Sequence, residues 1–262
     1  MANENEPVVT TISKGIARIA LNRPQKSNAL NGVFVADIRQ ALKNLLSDSA
    51  ARVVLIEGHG EHFCAGGDIH WMQEMAEKSY ETNYQDAHAI AELMHELYAF
   101  PKPTIALAHG TTLGGGLGLL TACDIAFAST NAIFGFSEVK LGIAPSTISP
   151  YVIAAIGQRM ARYYFLTGQR FDAVEAKRIG LVHEVVAVNE LLNAGLAMAN
   201  KLLANSSQAM AGIKALIQGV AGQHLSEDIA QFTAGNLASL RMSADGQEGL
   251  KAFIEKRTAK WS

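Results

Sequence analysis

Strong biases are missing from this chain of 262 residues. It has two cysteines, Cys64 and Cys123, each in apolar surroundings. They read as buried free thiols in a reducing compartment rather than as a disulfide. The net charge is -2, with both signs interspersed. That argues against nucleic acid as a partner, which shows itself as a basic patch or stripe. No apolar run approaches the roughly 20 residues needed to cross a bilayer, so no membrane partner is expected. The first fifteen residues, MANENEPVVTTISKG, have no basic n-region, no apolar h-region and no arginine-rich transit character. A cytoplasmic location is the expectation. Low-complexity segments and internal repeats are also lacking.

What is present is apolar residues, 49% of the chain, enough for a large core. Val8 to Ile12 and Ile16 to Leu21 are β-rich runs around SKG, which predicts a hairpin. Asn31 can cap a helix over the next seventeen or so residues, with Phe34, Ile38, Ala41, Leu42 and Leu45 on one face. Arg52 to Gly58 reads as a short buried strand, His59 to Gly67 as a loop, and a helix is expected from Asp68 or Ile69. A longer helix is predicted over Tyr84 to Phe100. PKPTIALAHG supplies another strand and a turn, followed by a helix, then by short strands in DIAFAS and AIFGF. This alternation implies an α/β domain. From Asn189 onward the pattern is helical throughout. The expected division is therefore a core domain over 1–188 and a helical region over 189–262, packed on the core, on another subunit, or on both.

Glycine is concentrated at two strand-to-helix turns, HFCAGGDI (His62 to Ile69) and LGGGLG (Leu113 to Gly118). Neither holds G-x-G-x-x-G or a Walker lysine, which argues against a nucleotide phosphate loop. Tight helix packing would explain some of these glycines. It does not explain why they gather at helix starts, where free N–H groups and the positive end of the helix dipole meet. Backbone exposed there can hold developing negative charge, as an oxyanion hole requires. Two such loops can converge on one carbonyl oxygen.

FCAGGDI, AHGTTLGGGLGLLTACDIAFAS, AIFGFSEVKLGIAP and EAKRIGLVHEVV, in this order and spacing, resemble the crotonase family, the enoyl-CoA hydratase/isomerase group. The resemblance spans nearly the whole chain. It implies a crotonase-like spiral of ββα units with a C-terminal helical trimerisation region, as a homotrimer or a dimer of trimers. It implies an acyl-CoA substrate, with coenzyme A part of that substrate and no separate cofactor. By motif position the two oxyanion donors are Gly67 and Gly115. Ala65, Gly66, Asp68, Ile69 and Gly114 fall in the same binding loops, and Lys26, Ser27 and Ala29 match the segment beside the adenosine end of CoA. Asp68 is also placed to cap the helix after its loop. Within this family the closest likeness, through Gly118, HWM and ISPYV, is to the bacterial 3-methylglutaconyl-CoA hydratase branch. A distal substrate carboxylate would then need a partner among Ser146, Thr147, Ser149 and Tyr151.

The two-glutamate hydratases carry one carboxylate at the second position after the glycine triplet and another in the SEVKLG segment. Here the first position is Gly118 and the second is Glu138. The apolar flanks of Glu138 predict partial burial and a raised pKa suited to proton transfer. Gly118 is expected to clear volume and negative charge near the β-carbon of the substrate. A single carboxylate can serve hydration or double-bond isomerisation, and the chain leaves these open. A short-chain enoyl-CoA hydratase is a further alternative. A non-catalytic acyl-CoA- or RNA-binding protein is disfavoured by the charge and by Glu138 beside both loops. His59, His62 and His70 match no common zinc spacing, so no metal is expected.

Overall fold

The computed structural model describes residues 6–261. The expectation about a leader segment rests partly on residues 1–5, which lie outside the described residues. The chain opens with a hairpin of β1 (Val8–Ser13) and β2 (Ile16–Leu21), in register from Val8 opposite Leu21 to Ser13 opposite Ile16. Lys14 and Gly15 turn the chain, both at positive φ. That is the two-residue turn whose twist matches paired strands. Asn31 caps α1 (Gly32–Ser47) by accepting a bond from the Phe34 N–H, and the five predicted apolar positions are all buried.

There follow β3 (Val53–Gly58), α2 (Ile69–Ala76), α3 (Tyr80–Tyr98), β4 (Thr104–Ala108), β5 (Thr111–Leu113), α4 (Gly115–Ala122), β6 (Ile125–Ser129) and β7 (Ile133–Gly135). Then come α5 (Ser149–Thr167), β8 (Phe171–Asp172), α6 (Ala173–Arg178) and β9 (Glu184–Val186). Six strands form one sheet in the order β1-β2-β3-β4-β6-β9, parallel except for the first pair. A second, smaller sheet has the order β5-β7-β8. Strand pairs followed by a helix thus wind through the core as the expected spiral. α3 starts four residues earlier than predicted. Ser79 caps it, and its first turn is polar and exposed, so it shows no apolar periodicity.

Side chains alternate across the large sheet. Ala17, Ile19, Val54, Ile56, Ala106 and Ala126 face the main core, shared with α1, α3, α4 and α5. Ile16, Val53, Leu55, Ile105, Leu107 and Phe127 face the other way, under α7 (Leu191–Leu203). With both faces covered, the inner strands read as continuous apolar runs. The sequence division at 188/189 falls just before α7, and α7 is packed on this sheet. α8 (Ser207–Val220), α9 (Glu227–Met242) and α10 (Ala244–Ile254) stand beyond it, each capped by a serine.

One ion pair ties α8 to the core. Asp124 accepts from the Thr104 N–H (2.7 Å) and hydroxyl (2.9 Å) and pairs with Lys214 Nζ at 2.7 Å. Lys214 is nine-tenths covered and its only other hydrogen bond among the described residues is to Lys102 O at 3.4 Å, so removal of Asp124 leaves its charge poorly compensated. Asp124→Ala is expected to cost about 3 kcal/mol and to lower the thermal midpoint by roughly 5–10 °C. Calorimetry of the two proteins checks it, and an unchanged midpoint would show the pair to be dispensable.

Candidate active site

The two glycine loops are laced together by backbone. Leu113 N–H donates to Cys64 O at 3.0 Å, and Cys64 pairs with Thr112 as a parallel bridge. On its other side the first loop runs beside residues 27–30. Ala65 N–H donates to Ser27 O (3.0 Å), Leu30 N–H to Gly66 O (2.7 Å) and Asp68 N–H to Leu30 O (2.8 Å). Gly67 N–H and Gly115 N–H make no hydrogen bond among the described residues. Gly115 is the first residue of α4, where an N–H has no partner within the helix. Both glycines are partly exposed. The pair lies on adjoining loops, with Gly115 N–H at the positive end of a helix.

Glu138 belongs to this cluster. Gly114 has φ +45°, and a Cβ there would lie 2.9 Å from Glu138 Oε1 and 3.8 Å from Gly66 Cα. The carboxylate therefore stands against the start of α4, close to both loops. Its Oε2 is buried and has no hydrogen-bond partner among the described residues. Burial pushes the Glu138 pKa above the ordinary carboxylate value, while a bond from its own backbone N–H opposes the shift.

The remaining predicted residues are placed unevenly. Asp68 is occupied: its Oδ1 accepts from His70 N–H at the start of α2, and its Oδ2 pairs with Arg23 at 3.2 Å. Those bonds hold its pKa down against the opposing effect of burial. Its carboxylate fixes the loop, and Arg23, which also donates to Ala29 O at 2.7 Å, was not foreseen in that role. Lys26 lines a cavity of about 350 Å³ with Asn31, Asp68, His70, Trp71 and their neighbours. Ser27 and Ala29 lie in the strip beside the first loop, Ala65 and Gly66 in the loop itself, and Ile69 is 71% exposed at the start of α2. Tyr151 packs its ring on Tyr98 at 5.3 Å between centroids. Ser146 and Ser149 hydroxyls bond to local backbone carbonyls. His59 meets Asn22, while His62 Nδ1 accepts from Thr111 N–H, so the two rings serve different contacts.

Asn28 was passed over by sequence reasoning. It is fully buried at φ +53°, and its amide donates to His59 O and His62 O while its carbonyl accepts from Arg23 N–H. It pins the approach to the first loop. Asparagine tolerates the left-handed region and bonds backbone on both sides, so its place in RPQKSNAL was the available signal.

The expectation of open volume at Gly118 is corrected. Gly118 is buried, and a Cβ there would collide with Ile148 Cγ2 and lie 2.9 Å from Met94 Sδ. The space left by the missing carboxylate is filled by a methyl group reaching in from the start of α5. Spacing along the chain cannot show this, because Ile148 is thirty residues away in the sequence.

The whole of residues 11–262 matches the family described as enoyl-CoA hydratase/isomerase. An enoyl-CoA hydratase structure from Shewanella pealeana is 39% identical with a TM-score of 0.95, covering 98% of this chain and 96% of that one. Human enoyl-CoA hydratase domain-containing protein 2, mitochondrial, is 35% identical over 254 residues, 95% of this chain and 86% of that protein. The 2,3-dehydroadipyl-CoA hydratase of Escherichia coli is 31% identical over 256 residues, 96% of each chain. The chain belongs to the enoyl-CoA hydratase/isomerase family, and its α/β spiral is the crotonase fold.

The filled site at Gly118 can be tested by stability. Gly118→Ala is expected to destabilise by about 1–3 kcal/mol, the usual cost of overpacking. In an Ile148→Ala background the same change is expected to cost much less, a non-additive pair in denaturant unfolding. Additive costs would place the collision elsewhere.

Proposed function

We propose that this protein hydrates the double bond of a 2-enoyl-CoA, with Glu138 as the single acid/base group. The observation that carries the reading is the unpartnered, buried Glu138 oxygen beside two loops with free N–H groups. The thioester oxygen would sit at Gly67 N–H and Gly115 N–H. Glu138 takes a proton from water as the water oxygen bonds to Cβ. The double-bond electrons move to the thioester, and the enolate oxygen is held by the two donors and the dipole of α4. Protonated Glu138 then returns its proton to Cα on the same face, and the enolate collapses to the 3-hydroxyacyl thioester. One water is consumed and Glu138 ends as it began.

A raised pKa suits both halves of this cycle, since the acid form must give the proton back. The sign for activity is clear. The ionised form starts the reaction, so kcat/KM falls as pH drops through the raised pKa. Its acidic limb is expected above the roughly 4.3 of an ordinary glutamate. Glu138→Gln is expected to keep the fold and lower turnover by at least about 100-fold. Near-normal turnover in the folded variant, or an acidic limb at the ordinary value, would remove Glu138 from this role.

Within this class a short branched or carboxylated acyl group, such as 3-methylglutaconyl, is supported by charge. One carboxylate rather than two faces the substrate. The named substrate of the Escherichia coli relative also carries a distal acid. Spectrophotometric comparison of crotonyl-, 3-methylcrotonyl-, 3-methylglutaconyl- and 3-enoyl-CoA separates these cases. Conversion of the 3-enoyl substrate without water uptake would favour the isomerase reading, which the lone carboxylate also permits.

The C-terminal helices support assembly of copies of this chain. Met242, Leu250, Phe253 and Ile254 are exposed, Phe253 by 84%, on elements with regular apolar faces. A large exposed apolar surface marks an interaction site. A closed trimer or dimer of trimers would cover it. Light scattering is expected to give such a mass and Phe253→Asp to lower it; an active wild-type monomer would overturn the assembly.

A further inference from the structure

A seam of hydrogen bonds joins the two glycine loops. Phe63 N–H donates to His109 O at 2.9 Å, Thr111 N–H to His62 Nδ1 at 3.1 Å, and Leu113 N–H to Cys64 O at 3.0 Å. The acceptor for Thr111 is an imidazole, whereas its neighbours in the seam are backbone carbonyls. The His62 carbonyl is turned to the Asn28 amide, from which it accepts at 2.8 Å, and the ring stands in for it. A backbone N–H can only donate, so Nδ1 is the acceptor and the ring is the neutral tautomer with its proton on Nε2. Glycines seat the residue on two sides. Gly110 has φ +54°, and a Cβ there would overlap Glu61 O and lie 2.8 Å from His62 Nδ1. A Cβ at Gly58 would lie 2.6 Å from His62 O.

We propose that His62 is a positioning residue for the oxyanion donors: its imidazole fixes the strand that leads to Gly115 N–H against the loop that carries Gly67 N–H. This rests on the reading of a thioester oxygen held at those two N–H groups. β5 runs directly into Gly114 and Gly115, and Cys64 stands three residues before Gly67. On one edge β5 is paired with β7, Thr111 opposite Ile133 and Leu113 opposite Gly135. On the other edge its N–H groups of Thr111 and Leu113 reach the first loop, and His62 receives the earlier of them. Without that acceptor the half-buried Thr111 N–H loses its partner, which costs free energy unless the strand shifts to find another. A shift of β5 against the first loop changes the distance between the two donors. Groups that act on one oxygen must be held to within about 0.5 Å of the productive geometry.

The neighbouring histidines do other things. His59 Nδ1 meets Asn22 Oδ1, and His109 Nε2 meets Gly60 O, so neither ring bonds to β5. The alternative, in which His62 is a plain structural anchor, predicts lower stability with unchanged catalysis in the folded molecules. The positioning role predicts a different split. Oxyanion donors act most strongly on the charge that develops in the transition state. Displacing one therefore lowers kcat while ground-state binding of the thioester is kept. It also weakens the polarisation of the bound carbonyl, which a change of stability alone does not.

The test uses full-length wild type, His62→Leu, His62→Met and His62→Asn. The first two changes remove the strong acceptor in two shapes, so that one folded variant suffices. In His62→Asn a carbonyl oxygen takes the place of Nδ1. Three readouts are taken on folded protein: kcat and KM for crotonyl-CoA, calorimetric Kd for the non-reacting butyryl-CoA, and the infrared carbonyl stretch of bound butyryl-CoA labelled isotopically at the thioester carbonyl. In wild type the donors are expected to lower that frequency below the value of the free thioester. His62→Leu and His62→Met are expected to lose part of the lowering and at least about tenfold in kcat, short of the roughly 10²–10³-fold cost of a deleted donor, with Kd little changed. His62→Asn is expected to recover most of both. A wild-type stretch and kcat in folded His62→Leu or His62→Met, or no recovery in His62→Asn, overturns the role of His62. No lowering in wild type overturns the reading of the two donors, and that role with it. A lowered stretch in wild type without hydration of any enoyl substrate overturns the hydratase reading alone, and the carbonyl stretch of the variants then still decides for or against His62.

Discussion

The close contact of two glycine loops is the constraint on which this site depends. Backbone bonds from Leu113 to Cys64 on one side, and among residues 27–30 and 65–68 on the other, use up the neighbouring donors. Gly67 N–H and Gly115 N–H are among the donors of these loops left without a hydrogen bond among the described residues, and both are partly exposed. The sheet enforces this: β3 delivers the first loop, β4 and β5 the second, and the bridge between Cys64 and Thr112 sets their register. A preorganised donor needs no reorganisation when charge develops, and that is the largest single contribution available to such a site. Rigidity here comes from backbone pairing, and the Asp68–Arg23 pair and the Asn28 amide add side-chain bonds that hold the first loop.

Glu138 carries the opposite burden. Leaving a carboxylate oxygen buried without a donor costs stability, since its water is lost and nothing replaces it. Asp68, a few residues from the donors, shows the usual solution, with an arginine and a helix start on its two oxygens. The two carboxylates differ in environment and their pKa values are pushed apart, Asp68 down and Glu138 up. Such divergence between neighbouring acids separates a structural group from one kept free to move protons. Among the described residues, no hydrogen-bond partner meets the buried Oε2 of Glu138.

Much of this was legible in the sequence where the signal is local. Asn31 and five apolar positions defined α1 to within a residue, and the SKG turn defined the hairpin. The glycine loops announced themselves because glycine clusters at helix starts have few structural explanations. The signal failed where elements are short or polar. β5 is three residues long, too brief for periodicity, and the first turn of α3 carries no apolar face. It failed again where one side chain answers another far along the chain. Arg23 on Asp68, Asn28 beneath the first loop and Ile148 over Gly118 are all long-range matches. Each partner alone looked ordinary.

Gly118 shows how such a match changes an inference. Read alone, a glycine where relatives of one pattern hold a glutamate means lost charge and gained space. In the fold the charge is lost and the space is not gained, because Ile148 and Met94 close over it. The two consequences pull apart chemically. In the proposed reaction, with no second carboxylate, Glu138 has both proton transfers to perform. With Glu138 as the one proton acceptor, the proposed reaction adds water and returns the proton on the same face of the enolate. The substitution is thus better understood as a change of wall than as the deletion of a catalytic group.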